Sequence, residues 1–176
     1  MKMHKAVEDV HEAEAALAKR LRATGERHAS ESDLYHLGHT LARRCAEHLQ
    51  ALAPFAQRYG AKPAPDDLEE SPGLLETVRR KSAEVVGRSE VAGLILMADL
   101  RDLYLAAQHA ELAWVLLLQA AKAKRDADLI DAVTRCHEEA EMCGKWLPTR
   151  IKEAAPQVYA AGQIRPWAGL IGGPVS

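Results

Sequence analysis

The chain has 176 residues, of which 48% are apolar and 27% are charged, and this length and composition predict one folded domain with a sizeable core. The formal net charge of -2 excludes the basic excess typical of nucleic-acid-binding proteins, and no apolar stretch approaches the roughly 20 residues that a membrane-spanning helix needs. Aromatic residues make up only 5% of the chain, which favours helices over sheets.

The first predicted helix runs from about residue 4 to 28 and carries a charge at an apolar position. Apolar residues recur along one face at the spacing of a bundle helix: Val7, Val10, Leu17 and Leu21. Glu14 lies in the middle of that face. A buried carboxylate is costly unless it is paired or bound to a metal, so Glu14 is the first candidate for a functional residue.

The second predicted helix begins at a cap provided by Ser30 or Ser32. It ends at Gly60, because glycine readily adopts the left-handed conformation that stops a helix. Near its midpoint, residues 44–48 have the sequence RCAEH. His48 lies at helical spacing among leucines, so this helix also directs a polar side chain toward the predicted core.

Residues 61–72 are rich in proline and acidic side chains and are predicted to be a linker, followed by a short helix at about 73–87. The third long helix is predicted from residue 89 to about 124. One of its faces carries Tyr104, Ala107, Glu111, Trp114 and Leu118. Glu111, like Glu14, is therefore a charged residue on the apolar face of its helix, and we expect both carboxylates to point inward.

Asp126 is predicted to cap a fourth helix, in which residues 135–139 have the sequence RCHEE, a counterpart of RCAEH in the second helix. The chain thus consists of two copies of one helical hairpin. All three cysteines lie within these helical patterns, and their odd number predicts reduced thiols and a cytoplasmic protein. Residues 154–176 are rich in glycine and proline yet apolar, so we expect this tail to pack on the bundle or on a neighbouring subunit.

The lengths of the connections predict the topology. The first-to-second and third-to-fourth connections are short, which makes each pair an antiparallel hairpin. The segment between the second and third helices is long enough for one crossover. We therefore predict an all-α four-helix bundle over residues 1–153, with the tail at 154–176 and a homodimer as the assembly.

This arrangement resembles the ferritin-like superfamily, whose metal-binding members carry one glutamate on each of the first and third helices and Glu-x-x-His on each of the other two. Glu14 and Glu111 match the single glutamates, and His48 matches the histidine of the second helix. Glu139 stands where the fourth helix would carry its histidine. The resemblance implies iron or manganese bound by Glu14, His48, Glu111 and Glu139.

The chain departs from the family pattern at both bridging glutamates, because Cys45 and Cys136 stand at those positions. Thiolates favour a softer ion such as zinc over a pair of hard cations. The departure makes a metal-free bundle without a cofactor the leading interpretation. The leading predicted function is therefore a degenerate ferritin-like protein that binds an unidentified protein or small molecule.

In a metal-free bundle the inward-pointing carboxylates would form ion pairs or hydrogen bonds with basic side chains. A bidentate arginine is the strongest such partner for a buried carboxylate. The candidate partners are Arg44 or His48 for Glu14, and Arg135 or His137 for Glu111.

Two alternatives stay open, and the sequence does not decide whether the chain is an enzyme. The first is a metal-dependent ferritin-like protein that handles oxygen, peroxide or metal stress with iron, manganese or zinc. A shift of one position in helix phase would bring His137 and Glu141 into that site. The second is a histidine phosphotransfer bundle that uses His39, although Ala42 and Arg43 replace the lysine and glycine that follow the histidine in that family.

Overall fold

The computed structural model describes residues 2–62 and 89–160, which form four long helices. They are α1 (Met3–Arg27), α2 (Ser32–Tyr59), α3 (Ser89–Lys124) and α4 (Ala127–Ala160). No strand occurs within these two ranges, so the all-α prediction is confirmed there. The short helix predicted at 73–87 and the tail beyond residue 160 lie outside the described residues.

The residues predicted to end α2 and to cap α4 are both confirmed. Gly60 adopts the left-handed conformation with φ of 66° and ends α2. Asp126 caps α4, since its Oδ1 accepts a hydrogen bond from the backbone N–H of Leu129 at 3.2 Å. The predicted serine cap of α2 is wrong: Glu31 precedes the helix, and its carboxylate instead forms an ion pair with Arg150 of α4.

Contacts between helix ends establish the direction of each helix. In the α1–α3 pair, Arg27 at the end of α1 contacts Asp99 near the start of α3, and Glu14 contacts Trp114 further along, so the two helices are antiparallel. In the α2–α4 pair, Arg58 at the end of α2 contacts Asp126 at the start of α4.

The two hairpins are antiparallel as well. Glu26 and His39 meet at one end of the α1–α2 hairpin, and Gly93 and Val158 meet at the open end of the α3–α4 hairpin. Helices α2 and α3 consequently run in the same direction. This arrangement agrees with a single long crossover between the hairpins.

The core is built from one apolar face of each helix, as the spacing of apolar residues predicts. Fully or almost fully buried residues are Val7, Val10, Leu17, Leu21, Leu34, Leu52, Leu100, Leu103, Trp114, Leu117, Leu129, Val133 and Leu147. Helix α4 continues to Ala160, past the boundary predicted at residue 153, and Ala154 and Val158 beyond that boundary still pack against this core. None of the described helices combines the length and the hydropathy needed to cross a membrane.

Candidate functional site

Glu14 is the most deeply buried charged side chain among the described residues, with 1% of its surface exposed. Helix α1 directs it inward because position 14 lies on the face that carries Val10 and Leu17. This confirms that Glu14 points into the core. Its carboxylate must therefore be stabilised by neighbours within the bundle, since water does not reach it.

Two side chains from neighbouring helices contact one oxygen of this carboxylate. The indole Nε1–H of Trp114 donates a hydrogen bond to Glu14 Oε1 at 2.5 Å, and His48 Nδ1 lies 3.3 Å from the same oxygen. The rings of His48 and Trp114 meet edge to face, with centroids 5.8 Å apart. Glu14, His48 and Trp114 thus form one buried cluster, which we call the central cluster.

The outer edge of the central cluster is a pair of charged residues. Glu139 Oε2 lies 3.5 Å from His48 Nε2 and accepts a hydrogen bond from Arg44 Nη1 at 3.2 Å. Two buried atoms of the cluster, Glu14 Oε2 and His48 Nε2, have no hydrogen-bond partner of good geometry. The predicted partner Arg44 therefore binds Glu139, whereas His48 is the residue beside Glu14.

Histidine 48 is shifted toward its protonated form. Burial alone would lower the pKa of His48, but the hydrogen bond and charge of Glu14, together with the charge of Glu139, outweigh burial and raise that pKa above its ordinary value. The raised pKa of His48 favours an ion pair with Glu14. Such a pair offsets part of the cost of burying each charge.

The three cysteines are free thiols buried close to Glu14. Burial, followed by the charge of Glu14, raises the pKa of Cys136 to about 11 and that of Cys143 to about 12, and raises the pKa of Cys45 further still. All three thiols therefore stay protonated at neutral pH. A protonated thiol is a poor nucleophile and a poor metal ligand.

The prediction that Glu111 lies in the core beside Glu14 is wrong. Glu111 is half-buried on the side of α3 that faces α4, where its Oε2 accepts a hydrogen bond from Gln108 Nε2 at 3.0 Å. The physical reason is helix phase: Ala110 and Trp114 define the buried face of α3, and Glu111 is turned away from the line between them.

Glu111 instead lies close to two polar residues of α4. The possible ligand atoms of Glu111, His137 and Glu141 all lie within 4.8 Å of one another. Throughout residues 2–62 and 89–160, this is the one group of three carboxylate, imidazole or thiol side chains that is so compact. We call Glu111, His137 and Glu141 the flank cluster.

The structure divides the four predicted metal ligands between different surroundings. His48 contacts both Glu14 and Glu139, so these three residues lie together. Glu111 belongs to the flank cluster instead. His137, predicted as a partner of Glu111, does lie near it. Arg135 is exposed on α4.

His39, the residue of the phosphotransfer alternative, lies at the α1–α2 surface. Its Nε2 is 3.0 Å from Glu26 Oε1, and its ring contacts Tyr35 edge to face. A neighbouring carboxylate repels an incoming phosphoryl group, so these contacts do not favour phosphotransfer at His39.

Sequence reasoning missed the role of Trp114, which the pattern assigns only to core packing. The available signal was its polar N–H, since a buried tryptophan usually donates that hydrogen to a partner. Glu141 was recognised through its four-residue separation from His137, which places two side chains on the same face of a helix.

No protein-family model, no curated protein and no solved structure matches this chain. The resemblance to ferritin-like proteins therefore stays a prediction that rests on helix order and on the positions of individual residues.

Proposed function

We propose that the chain is a degenerate ferritin-like protein without a dinuclear metal centre, and that it acts as a binding or interaction protein that pairs with a second copy of itself. The antiparallel hairpins and the parallel α2 and α3 agree with a ferritin-like bundle. The buried free thiols fit a reducing compartment, so we place the protein in the cytoplasm.

The observation that carries the first half of this proposal is the hydrogen bond from Trp114 to Glu14. A dinuclear centre needs several carboxylates around two cations. Here a neutral indole takes the place beside Glu14 where a carboxylate of α3 would be required. Cys45 and Cys136 stand at the positions of the bridging glutamates, and sulfur ligands favour a softer ion such as zinc over a pair of hard cations.

The second half of the proposal rests on the outer face of α3. Leu94, Leu105, Leu112 and Leu116 are each more than half exposed. At 100° per residue these four side chains lie within about 40° of one another around the helix, and they extend about 33 Å along it. We call this row of leucines the α3 stripe. Three of the four, Leu105, Leu112 and Leu116, lie within three turns of one another, and an exposed apolar row of this kind is typical of a surface that is covered by another protein.

A second copy of the chain is the occupant that fits the α3 stripe most directly. A two-fold axis perpendicular to α3 would place two identical stripes against each other in antiparallel orientation. Both partners would then bury long leucine side chains against each other. Arg101, seven residues after Leu94 and four before Leu105, lies on the same side of α3, and its exposed side chain, which contacts Asp102 at 3.6 Å, interrupts the stripe between those two leucines.

The experiment compares the oligomeric state of the wild-type chain with that of Leu105→Glu/Leu112→Glu. We expect light scattering to give a dimer for the wild type and a monomer for the double variant, because two carboxylates on the α3 stripe cannot be buried against a second copy. Met142→Glu is the matched control, since Met142 is equally exposed but lies on α4.

A monomeric wild-type chain at micromolar concentration would contradict the pairing. So would a double variant that remains dimeric. Circular dichroism and the melting temperature of each variant show whether the fold is retained.

A further inference from the structure

The flank cluster combines two carboxylates and one imidazole at the boundary between α3 and α4. His137 and Glu141 are four residues apart on α4 and therefore share one side of that helix. Glu111 faces them from α3, with the possible ligand atoms of all three residues within 4.8 Å of one another. All three residues are half-buried, so the cluster is partly shielded from water yet still reachable from it.

One ring nitrogen of His137 has no hydrogen-bond partner among the described residues. This nitrogen, Nε2, is buried. A buried polar atom without a partner costs free energy, and such atoms are uncommon in folded proteins. A cation bound at this nitrogen would remove that cost, because an imidazole nitrogen that lacks a hydrogen is a good metal ligand.

Both carboxylates are already oriented by neighbouring donors. Gln108 Nε2 donates to Glu111 Oε2 at 3.0 Å, and Lys145 Nζ donates to Glu141 Oε2 at 2.9 Å. Each carboxylate still has a second oxygen for a metal. Hydrogen bonds of this kind fix the orientation of metal-binding side chains in known sites.

The backbone of α4 leaves room for the Glu111 carboxylate. A Cβ atom added to Gly144 would lie 3.3 Å from Glu111 Oε2 and 3.3 Å from Gln108 Nε2. This is a tight contact, and a larger side chain at position 144 would compete with the carboxylate for the same space. The glycine thus allows Glu111 to lie against α4, one turn from Glu141.

We propose that Glu111, His137 and Glu141 bind one divalent first-row cation, with Zn²⁺ as the best fit. Tetrahedral ligands at about 2.1 Å from zinc are about 3.4 Å from one another, so small side-chain rotations bring the three donors into place. Two carboxylates balance the charge of the cation, and one imidazole favours zinc over calcium or magnesium. Water or an external ligand takes the fourth position.

This site is separate from the central cluster and does not depend on the proposed function. It joins α3 to α4 within one hairpin, whereas a dinuclear centre of the ferritin-like kind draws ligands from all four helices. A bundle whose middle binds no metal can still bind one cation on its flank. The site would link the two helices of the second hairpin at their midpoints.

The test measures binding of zinc chloride to the purified full-length chain by isothermal titration calorimetry, and of cobalt chloride by visible absorption. We expect one equivalent of metal for the wild type. Glu111→Gln, His137→Gln and Glu141→Gln should each weaken binding at least tenfold, since each removes one of three ligands. Glu138→Gln and His109→Gln are the matched controls: both residues are exposed on the same helices, and binding should be unchanged.

The absence of stoichiometric binding to the wild type would overturn the proposal. Equal binding by the wild type and all three ligand variants would overturn it as well. So would a loss of binding in Cys45→Ser that the ligand variants do not show, because that result would move the metal to the thiols. Glu141→Gln keeps the test decisive if another variant fails to fold, since the Glu141 side chain is 40% exposed and supports no core packing.

Discussion

Glu14 is the described residue whose charge is buried most completely among the apolar faces of the helices. One oxygen, Oε1, contacts both Trp114 and His48, and the other oxygen is left without a partner. The indole N–H of Trp114 and the ring of His48, whose pKa is raised, therefore both stabilise the Glu14 side chain. Removing it would leave the indole N–H of Trp114 buried without an acceptor and would take the nearest carboxylate from His48 Nδ1.

Glu14→Ala should lower the free energy of unfolding by about 3–5 kcal/mol, the usual cost of removing one member of a buried charge pair. Urea denaturation followed by circular dichroism measures the change. Glu12→Ala is the control, since Glu12 is exposed on the same helix and its loss should change stability by less than about 0.5 kcal/mol.

Metal content provides a second measurement on the same Glu14 variant. If the central cluster is metal-free, Glu14→Ala should bind as much metal as the wild type while being less stable. A loss of two equivalents of iron or manganese in this variant would contradict the proposed function and restore the metal-dependent alternative.

Helices α1 and α2 pack most closely where two glycines meet. A Cβ atom added to Gly38 of α2 would lie 2.8 Å from the backbone oxygen of Leu21 in α1, and 3.5 Å from the Cα of Gly25. A backbone oxygen cannot rotate away as a flexible side chain does. Gly38 is thus required for the separation between these two helices, despite the low helix propensity of glycine.

Gly38→Ala should destabilise the bundle by about 1–3 kcal/mol, because the helices must move apart to relieve the overlap with the carbonyl of Leu21. Gly25→Ala is the matched control: its Cβ would meet its nearest neighbour at 3.4 Å, an ordinary contact. The control should be neutral or gain up to about 1 kcal/mol from the better helix propensity of alanine. Equal melting temperatures for the two variants would contradict this account.

Helix α3 presents three different surfaces over four consecutive residues. Glu111 faces α4, Leu112 faces outward, and Ala113 and Trp114 are buried. Each residue is turned by 100° from the one before it, so neighbouring positions have unrelated roles. This explains why the flank cluster and the α3 stripe lie so close in sequence and yet belong to different surfaces.

The four helices are joined to one another by ionic contacts near their ends. Asp99 of α3 is bound by Arg27 at 2.6 Å and by His28 at 2.8 Å, and Arg58 of α2 contacts Asp126 at the start of α4. Burial acts to raise the pKa of Asp99, but the hydrogen bond to His28 and the charge of Arg27 outweigh it, and the pKa is lowered. The stability of the whole molecule should consequently depend on pH.

Stability should fall on both sides of a maximum between about pH 4 and 6.5. The pKa of His48 is raised above its ordinary 6.5 in the folded state, so its contribution is complete below pH 6.5 and is lost as the pH rises through the folded value. The pKa of Asp99 is lowered from 3.8, so its contribution is complete above that pH and is lost as the pH falls through the folded value.

Measuring the free energy of unfolding from pH 3 to 9 checks this profile. One variant tests the decline at acid pH (the acid limb) and another tests the decline at alkaline pH (the alkaline limb). His48→Gln should lose the decline above pH 6.5 while retaining the acid limb. Asp99→Asn should weaken the decline at acid pH while retaining the alkaline limb. A profile of unchanged shape in either variant would show that another group causes that limb.

The sequence by itself determined the helical class, the pairing of the helices into two hairpins, and the burial of Glu14. These features follow from local chemistry and from periodicity: Gly60 stops a helix through its left-handed conformation, Asp126 caps the next through its carboxylate, and apolar spacing marks the inner faces. Each of them is encoded within a few neighbouring residues, so no knowledge of the partner helices was needed.

Only the tertiary structure decided which side chains meet across the helices. It placed Trp114 beside Glu14, and it put Glu111, with its predicted neighbour His137, on the flank of the bundle and not in the core. The physical reason is the rotation of each helix about its axis, since an error of one residue in helix phase turns a side chain by 100°. Two apolar faces overlap along α3, so the sequence leaves open which of them is turned toward the core. The rotation of α3 about its own axis is determined only when all four helices pack. In the packed bundle Trp114 is buried in the core and Glu111 lies at the edge of the core.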